Sequence, residues 1–179
     1  MKTAKNIKDY IRTVPNFPKQ GIMFRDVTTL FGDAAGFRAV LDQLERAVAG
    51  LAIDSVVGID ARGFIVGAAL ADRLSVAFVP VRKKGKLPAS CIEENYALEY
   101  GTAALELHTD AVAAGANVLL VDDLIATGGT AKAAATLLGR LGAKISACAF
   151  IINLPSLGGA ASLQQAGYQV ISLCEFDGD

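Results

Sequence analysis

The chain has 179 residues, of which 53% are apolar and 18 are glycine, and this composition fits one globular domain and argues against disorder. Its formal net charge is −1, so no overall field draws it to nucleic acid or to an anionic membrane. Three cysteines without C-x-x-C spacing indicate neither a disulfide framework nor a zinc site, and reduced thiols are typical of the cytoplasm. The sequence contains neither the apolar segment of a signal peptide nor the stretch of about 18 apolar residues that a membrane span needs. We therefore expect a single cytoplasmic domain covering residues 1–179.

The first part of the chain predicts a short helix, a loop and a longer amphipathic helix. Ile7, Ile11 and Val14 lie at helical spacing, and this helix should stop before the proline that follows. Prolines and a glycine in segment 15–21 predict a loop. After Asp33, which is suited to cap a helix, apolar residues recur at the spacing of a helix with one buried face.

From residue 55 onward, strands and helices alternate. The predicted elements are strand Ser55–Ile59, helix Phe64–Leu74, strand Val76–Val81, helix Thr130–Leu141, strand Ile145–Asn153, a short helix within 158–167 and strand Val170–Leu173. One segment interrupts this order, because alternating residues on both sides of Gly101 predict an antiparallel hairpin within 87–107. The pattern predicts an α/β fold, in which helices flank a mostly parallel sheet with an antiparallel appendage.

The run from Val118 to Thr130 says most about function. Val118–Val121 predicts a buried parallel strand, since its apolar residues continue without polar alternation. Asp122 and Asp123 end this strand, and the Thr/Gly loop 126–130 follows. Carboxylates at a strand end can hold hydroxyls or a divalent cation, and glycines let backbone N–H groups approach a phosphate at the start of the next helix. Carboxylates that bind a diol, next to a loop that binds a phosphate, are the features expected of a site for ribose 5-phosphate.

Other interpretations of this run are weaker. No G-x-x-x-x-G-K-[ST] motif accompanies it, as a P-loop NTPase would require. No G-x-G-x-x-G follows a strand either, as a dinucleotide-binding fold would require. An ordinary surface turn does not explain two adjacent acids followed by Thr-Gly-Gly-Thr.

Two further strand ends should bring charge to the same edge of the sheet. Segment 60–63 contains Arg62, and segment 82–86 contains four more cations, which together exceed the need of one phosphate. They would suit pyrophosphate, with a divalent cation bridging its oxygens. Taken alone, segment 82–86 also fits a solvated loop, and Glu99 in the hairpin fits a solvent-facing residue. His108, the only histidine, has no metal-ligand spacing, and we expect it at the surface.

Together these segments resemble the type I phosphoribosyltransferases, and most closely the adenine-specific members, over nearly the whole chain. The matching segments are 118–130 for the phosphoribosyl pyrophosphate motif, 60–64 for the pyrophosphate loop, 17–26 for the base-binding segment, and 82–88 with 96–101 for the flexible flap. The resemblance implies the type I phosphoribosyltransferase fold, with a base-binding hood at residues 1–32 and a flap and hairpin at 83–107. It also implies a homodimer, while the net charge of −1 and the lack of an apolar span predict no nucleic-acid or membrane partner.

The resemblance further implies an activity, namely purine salvage. The phosphoribosyl group of 5-phosphoribosyl 1-pyrophosphate would be transferred to N9 of adenine, giving AMP and pyrophosphate. Glu99 becomes the candidate acid/base at adenine N7 rather than a solvent-facing residue, while Arg62 and Lys86 would stabilise the leaving group. Mg²⁺ is the expected cofactor, and we expect no dedicated protein ligands, because the substrate and water would mainly hold it.

The resemblance assigns the remaining site residues by position. Asp122 and Asp123 would hold the ribose hydroxyls. The residues implied for the 5-phosphate are Ala126, Thr127, Gly128, Gly129 and Thr130. Those implied for pyrophosphate are Asp60, Ala61, Arg62, Gly63, Arg82, Lys83 and Lys86. Those implied for adenine are Met23, Phe24, Arg25 and Leu154, with the main chain at Met23 and Arg25 reading the edge of the base.

One departure and two alternatives remain. Ala61 stands where some family members carry serine, so a side-chain hydrogen bond is ruled out there. A regulator that binds phosphoribosyl pyrophosphate without catalysis would carry a DNA-binding segment and a basic surface, which the net charge of −1 disfavours. An enzyme for orotate, guanine or hypoxanthine is disfavoured by segments 24–26 and 98–100.

Overall fold

The computed structural model describes residues 6–97 and 102–177. A short 3-10 helix, Ile7–Tyr10, precedes the other elements. The strands are β1 (Arg12–Pro15), β2 (Met23–Asp26), β3 (Ser55–Ile59), β4 (Ala77–Lys83), β5 (Cys91–Ala97), β6 (Thr102–His108), β7 (Asn117–Ile125), β8 (Lys144–Asn153) and β9 (Val170–Glu175). The helices are α1 (Thr28–Phe31), α2 (Ala34–Ala47), α3 (Arg62–Leu74), α4 (Gly129–Arg140) and α5 (Gly159–Gln165), with a 3-10 turn at Pro155–Leu157.

Seven strands form the main sheet in the order β5-β6-β4-β3-β7-β8-β9. The pairs from β4 through β3, β7 and β8 to β9 are parallel, whereas β6 is antiparallel to both β4 and β5. From β3 the chain continues outward to β4, and from β7 it continues outward the other way to β8. The strand order therefore reverses between β3 and β7, which is where open α/β sheets open a ligand crevice at the carboxyl ends of their strands.

The hydrophobic core lies on both faces of the sheet. Leu119 and Val121 of β7 belong to one buried cluster, together with apolar residues of α2 and α3. Val118 and Leu120 of the same strand belong to the other cluster, together with apolar residues of α4 and Leu163 of α5. This is the period-two alternation of a strand covered on both faces, so β7 is fixed in a central position.

Several predicted elements are confirmed. Strand Ser55–Ile59 has the predicted bounds, and all five of its residues are buried. The Asp33 side chain caps α2 by accepting hydrogen bonds from the N–H groups of Ala35 and Gly36, both at 2.9 Å. The predicted hairpin is present as β5 and β6, although β5 begins at Cys91, earlier than the alternating pattern indicated.

The predicted helix through Val14 is wrong. Only Ile7–Tyr10 is helical, and Val14 pairs with Phe24 in the two-stranded antiparallel sheet of β1 and β2. Helical spacing did not decide the structure here, because pairing with a distant strand overrides a short local pattern. Asp26 stabilises this small sheet, because its carboxylate accepts hydrogen bonds from Thr28 and from the Arg12 guanidinium. These hydrogen bonds lower the pKa of Asp26 to about 2.

The bounds of α3 and β7 differ from prediction. Helix α3 begins at Arg62 rather than after Gly63, and β7 runs on to Ile125, so Asp122 lies inside the strand and pairs in register with Phe150. His108 is half-buried rather than fully at the surface, and its Nε2 atom is buried without a hydrogen-bond partner. None of the described helices has the length and apolar character to cross a membrane.

Candidate active site

A cavity of about 350 Å³ opens where the strand order reverses. Its walls come from the ends of β3 and β7, the start of α4 and the inner side of the hairpin. The lining residues are Asp60, Ala61, Arg62, Lys83, Tyr96, Asp122, Asp123, Leu124, Ile125, Ala126, Thr127, Gly128, Gly129, Thr130, Ala131 and Phe150. The three predicted strand ends therefore do meet at one pocket.

The two acids of β7 differ in their surroundings. Asp123 is 2% exposed, and its carboxylate accepts a hydrogen bond from Arg62 Nε at 2.5 Å. Asp122 accepts at 2.9 Å from the backbone N–H of Asp123. Burial, reinforced by the charge of Asp123, raises the pKa of Asp122 well above its usual range. The pair therefore combines one ion-paired carboxylate with one whose pKa is raised by burial.

The pKa of Arg62, the partner of Asp123, also depends on its surroundings. Burial alone would lower the pKa of the Arg62 guanidinium, but attraction and hydrogen bonding to Asp123 outweigh burial, so the pKa is raised. The Arg62 side chain remains 48% exposed at the mouth of the cavity. A cation is thus held beside the carboxylates and still reaches an incoming anion.

Gly63 lets α3 approach the end of β7. A Cβ atom at Gly63 would lie 2.8 Å from the backbone oxygen of Val121 and 2.9 Å from Oδ1 of Asp122. Such distances are too short for any side chain, so only glycine allows this separation between helix and strand. Gly63 does not line the cavity, but it sets how near Arg62 lies to Asp123.

The loop after β7 turns sharply into α4. Gly128 has φ of +83°, a left-handed conformation that glycine adopts without strain. The helix begins at Gly129, and the first N–H groups of a helix have no intrahelical acceptor. Thr127 is exposed beside these donors, and residues 126–130 all line the cavity. The loop can accordingly surround an anion with backbone N–H groups and threonine hydroxyls.

The cations at the end of β4 and directly after it are divided between different partners. Lys83 lines the cavity, and Lys86 is exposed beyond its wall. Arg82 donates to Asp60 at 3.3 Å and to the backbone oxygen of Lys86 at 3.1 Å. Lys84, by contrast, pairs with Glu93 of the hairpin at 2.7 Å, so it is not brought to the pocket.

The residues implied for adenine lie outside the wall of this cavity. The Arg25 guanidinium donates to Thr13 Oγ1 at 2.6 Å and lies 4.5 Å from the ring centre of Phe176. Phe24 packs edge-to-face on Phe17 at 5.1 Å, and Met23 is 38% exposed. Leu154 lies close to β7, because its backbone N–H donates to Ile125 at 3.0 Å.

Five lining residues had no individual role in the sequence-based prediction, namely Tyr96, Leu124, Ile125, Ala131 and Phe150, and one predicted residue lies outside the described ranges. Tyr96 lies inside the cavity against Gly129, and the alternation of the hairpin could have indicated which of its residues share this face. Phe150 is fully buried, and only the register of β8 beside Asp122 brings it to the wall. Glu99, the candidate acid/base, lies outside the described residues.

The described residues contain no cluster of side chains that would bind a metal ion by itself. Within 6–97 and 102–177, no group of three or more His, Cys, Asp or Glu side chains is arranged to hold a metal ion. The carboxylates that reach the cavity are Asp60, Asp122 and Asp123.

Comparisons with known proteins agree with this geometry. Residues 33–162 match the model of the phosphoribosyl transferase domain family. The chain is 58% identical to the adenine phosphoribosyltransferase of Paracoccus denitrificans over 177 residues, covering 99% of this chain and 95% of the relative.

Solved structures give the same answer. The adenine phosphoribosyltransferase of Thermoanaerobacter pseudethanolicus is 48% identical with a TM-score of 0.91, and the match covers 95% of this chain and 98% of that one. The enzyme of Saccharomyces cerevisiae, solved with adenine and an imino-altritol bisphosphate, is 40% identical with a TM-score of 0.87, over 94% of this chain and 96% of that one.

Proposed function

The chain belongs to the phosphoribosyltransferase family and, within it, to the adenine phosphoribosyltransferases, and from this premise we propose how its residues divide the reaction. The enzyme transfers the phosphoribosyl group of 5-phosphoribosyl 1-pyrophosphate to N9 of adenine, which yields AMP and pyrophosphate in purine salvage. The bond from ribose C1 to the pyrophosphate oxygen breaks, and the bond from C1 to N9 forms. The observation that carries the division of roles is the meeting of three strand ends at one cavity.

The fixed end of the substrate is the ribose 5-phosphate. We assign the 5-phosphate to loop 126–130, because its helix start and glycines offer unpaired N–H groups, and threonine hydroxyls lie beside them. Asp122 and Asp123 take the ribose hydroxyls, because both side chains line the cavity next to this loop. These contacts hold C1 in place and lower the entropic cost of the transfer.

The leaving pyrophosphate is the second anion. Arg62 and Lys83 line the cavity, and Lys86 is exposed and accepts from Arg82 through its backbone oxygen, so we assign these cations to the negative charge that develops as the C1–oxygen bond breaks. Asp60 and Ala61, which line the cavity, would contribute main chain, Gly63 would do so from the first turn of α3, and Arg82 orders Asp60. Mg²⁺ would neutralise further charge on the pyrophosphate oxygens, held mainly by substrate and water with the cavity carboxylates nearby.

The base completes the site. Segment 1–32 would act as a hood, with the main chain at Met23 and Arg25 reading the edge of adenine, and with Phe24, the Arg25 side chain and Leu154 against its faces. Segment 83–107 would act as a flap that brings Glu99 to adenine N7. Glu99 would then accept the N7 proton as N9 attacks, and flap closure would exclude water, a competing nucleophile.

The cellular compartment is inferred from the cysteines, and the oligomeric state from the family resemblance. Cys91, Cys148 and Cys174 are free thiols, which suits a reducing compartment, and we assign the enzyme to the cytoplasm. The homodimer that the family resemblance implies remains a prediction, which light scattering on the purified protein will test.

A direct assay tests the proposed function. The purified protein is incubated with adenine, 5-phosphoribosyl 1-pyrophosphate and MgCl₂, and AMP and pyrophosphate are quantified separately. We expect equal amounts of both products, and loss of both with EDTA in excess of magnesium. Pyrophosphate release without AMP would contradict transfer to adenine, and undiminished turnover in EDTA would contradict the role of magnesium.

A further inference from the structure

The start of α5 packs against the back of the loop that we assign to the 5-phosphate. Gly159, the first residue of α5, is buried, and its N–H donates to the backbone oxygen of Ala126 at 3.0 Å. Gly128 meets it from the other side, because a Cβ atom at Gly128 would lie 3.0 Å from the Cα atom of Gly159. The two backbones are therefore in direct contact with no side chain between them.

This contact leaves no room for a methyl group. A Cβ atom at Gly159 would lie 2.3 Å from the oxygen of Ala126, 2.6 Å from the nitrogen of Gly128 and 2.8 Å from the carbonyl carbon of Thr127. All three atoms are backbone atoms of the loop rather than the ends of flexible side chains. Any larger residue at this position must displace either the loop or α5.

The contacts of α5 and of loop 126–128 indicate that a larger residue at position 159 would displace the loop rather than the helix. Helix α5 is anchored in the core by Leu163, which is completely buried. It is also bonded to α4 through the side chains of Ser162 and Lys132. The opposite side of loop 126–128 faces the open cavity, where Thr127 is exposed. Displacement toward the cavity meets the least resistance.

We propose that Gly159 is a positioning residue for the substrate: through its contact with Ala126, Thr127 and Gly128 it sets the depth of the 5-phosphate loop. The proposal rests on the assignment of this loop to the 5-phosphate. Gly159 is not among the residues that line the cavity, so it would act only by fixing where the N–H donors of the loop lie. Small displacements of such donors weaken anion binding strongly.

The test compares Gly159→Ala with Gly139→Ala, a matched control in α4 where an added Cβ meets no atom within 4 Å. We expect Gly159→Ala to raise KM for 5-phosphoribosyl 1-pyrophosphate roughly tenfold or more, with KM for adenine within about twofold. Competitive inhibition by ribose 5-phosphate should weaken in parallel, whereas inhibition by pyrophosphate should not. The control should match the wild type in all four measurements.

A general loss of structure would not reproduce this split between ligands. Equal changes in both KM values, or an unchanged KM for 5-phosphoribosyl 1-pyrophosphate, would overturn the proposal. If the wild type formed no AMP, the proposed function would fail instead, so the two failures are distinguishable.

A second pair of variants decides the matter if Gly159→Ala does not fold. Leu163→Ala removes the anchor of α5 from the core, and Leu44→Ala removes an equally buried leucine from α2, far along the chain from the loop. Both should lose thermal stability to a similar extent. Only Leu163→Ala should raise KM for 5-phosphoribosyl 1-pyrophosphate, and equal kinetics in the two variants would overturn the proposal.

Discussion

Arg62 donates from Nε to a carboxylate oxygen of Asp123 at 2.5 Å, across the mouth of the cavity. We assign the first residue to pyrophosphate and the second to ribose, so without substrate the two binding groups satisfy each other. The buried carboxylate is thereby kept from being an unpaired charge. We therefore expect substrate binding to exchange this ion pair for contacts to the sugar and to the leaving group.

Replacing Asp123 by asparagine should weaken substrate binding. The variant Asp123→Asn keeps the shape of the side chain but removes the charge that strengthens hydrogen bonds to the ribose hydroxyls. Such bonds are worth about 1.5–3 kcal/mol, so we expect KM for 5-phosphoribosyl 1-pyrophosphate to rise about tenfold to a hundredfold. Steady-state kinetics with Asp110→Asn, an exposed turn residue, supplies the control. An unchanged KM would remove Asp123 from the ribose site.

Removing the carboxyl group of Glu99 should affect turnover rather than binding. We expect Glu99→Leu to lower kcat by roughly 10²–10⁴-fold, because a positioned acid/base contributes that much, while both KM values change little. Asn95→Ala tests for a general effect on the hairpin, since Asn95 is exposed on β5 of the same hairpin. Full turnover in Glu99→Leu would show that the acid/base role is wrong.

The raised pKa of Asp122 predicts a pH-dependent cost to stability. Burial raises the pKa of Asp122 in the folded chain above its unfolded value of about 3.9, so the folded state binds this proton more tightly. The protonated Asp122 side chain makes its full contribution to the free energy of unfolding below the unfolded pKa, and this contribution is lost as the pH rises through the folded pKa. Asp122→Asn, which remains neutral, should therefore be more thermostable than the wild type at pH 8, by a margin that shrinks toward pH 5. Thermal unfolding of the substrate-free proteins measures this, and a margin that is absent or grows on acidification would count against it.

The base-binding segment gives a contrast between neighbouring side chains. Arg25→Ala should raise KM for adenine, because it removes the guanidinium that we expect to lie over the purine. Met23→Ala should leave that KM within about twofold, because recognition there uses main chain and the Met23 side chain is 38% exposed. Initial rates at varied adenine concentration distinguish the two variants. A larger effect at Met23 than at Arg25 would mean that the base is read by side chains.

Much of this site could be predicted from the sequence because it depends on parallel strand ends. Once Ser55–Ile59 and the strand leading to Asp122 are recognised, their carboxyl ends must share an edge, and the charged residues after them meet. The strand conformation of residues 12–15 could not be predicted in this way, because pairing with β2 outweighs their helical spacing. The contact of Gly159 with Ala126 depends on how distant elements pack, and no local pattern indicates it.

The division of charge within segment 82–86 was equally beyond prediction. The sequence gives no reason to separate Lys83 from Lys84, yet one lines the cavity and the other pairs with Glu93. Successive residues of a strand face opposite sides, and the partner available on each side depends on the hairpin that folds against β4. Charge clustering therefore predicts an anion site without saying which cations serve it.

The enzyme should transfer the phosphoribosyl group to adenine in preference to other purines. Adenine presents an amino donor beside a ring-nitrogen acceptor, and guanine and hypoxanthine reverse this pattern at the same edge, so a site that reads the edge by hydrogen bonds discriminates strongly. The decisive measurement is a competition assay with limiting 5-phosphoribosyl 1-pyrophosphate and equal concentrations of adenine, guanine and hypoxanthine, with the nucleotides separated by chromatography. We expect AMP to exceed GMP and IMP by at least about a hundredfold. Comparable amounts of the three nucleotides would contradict adenine specificity.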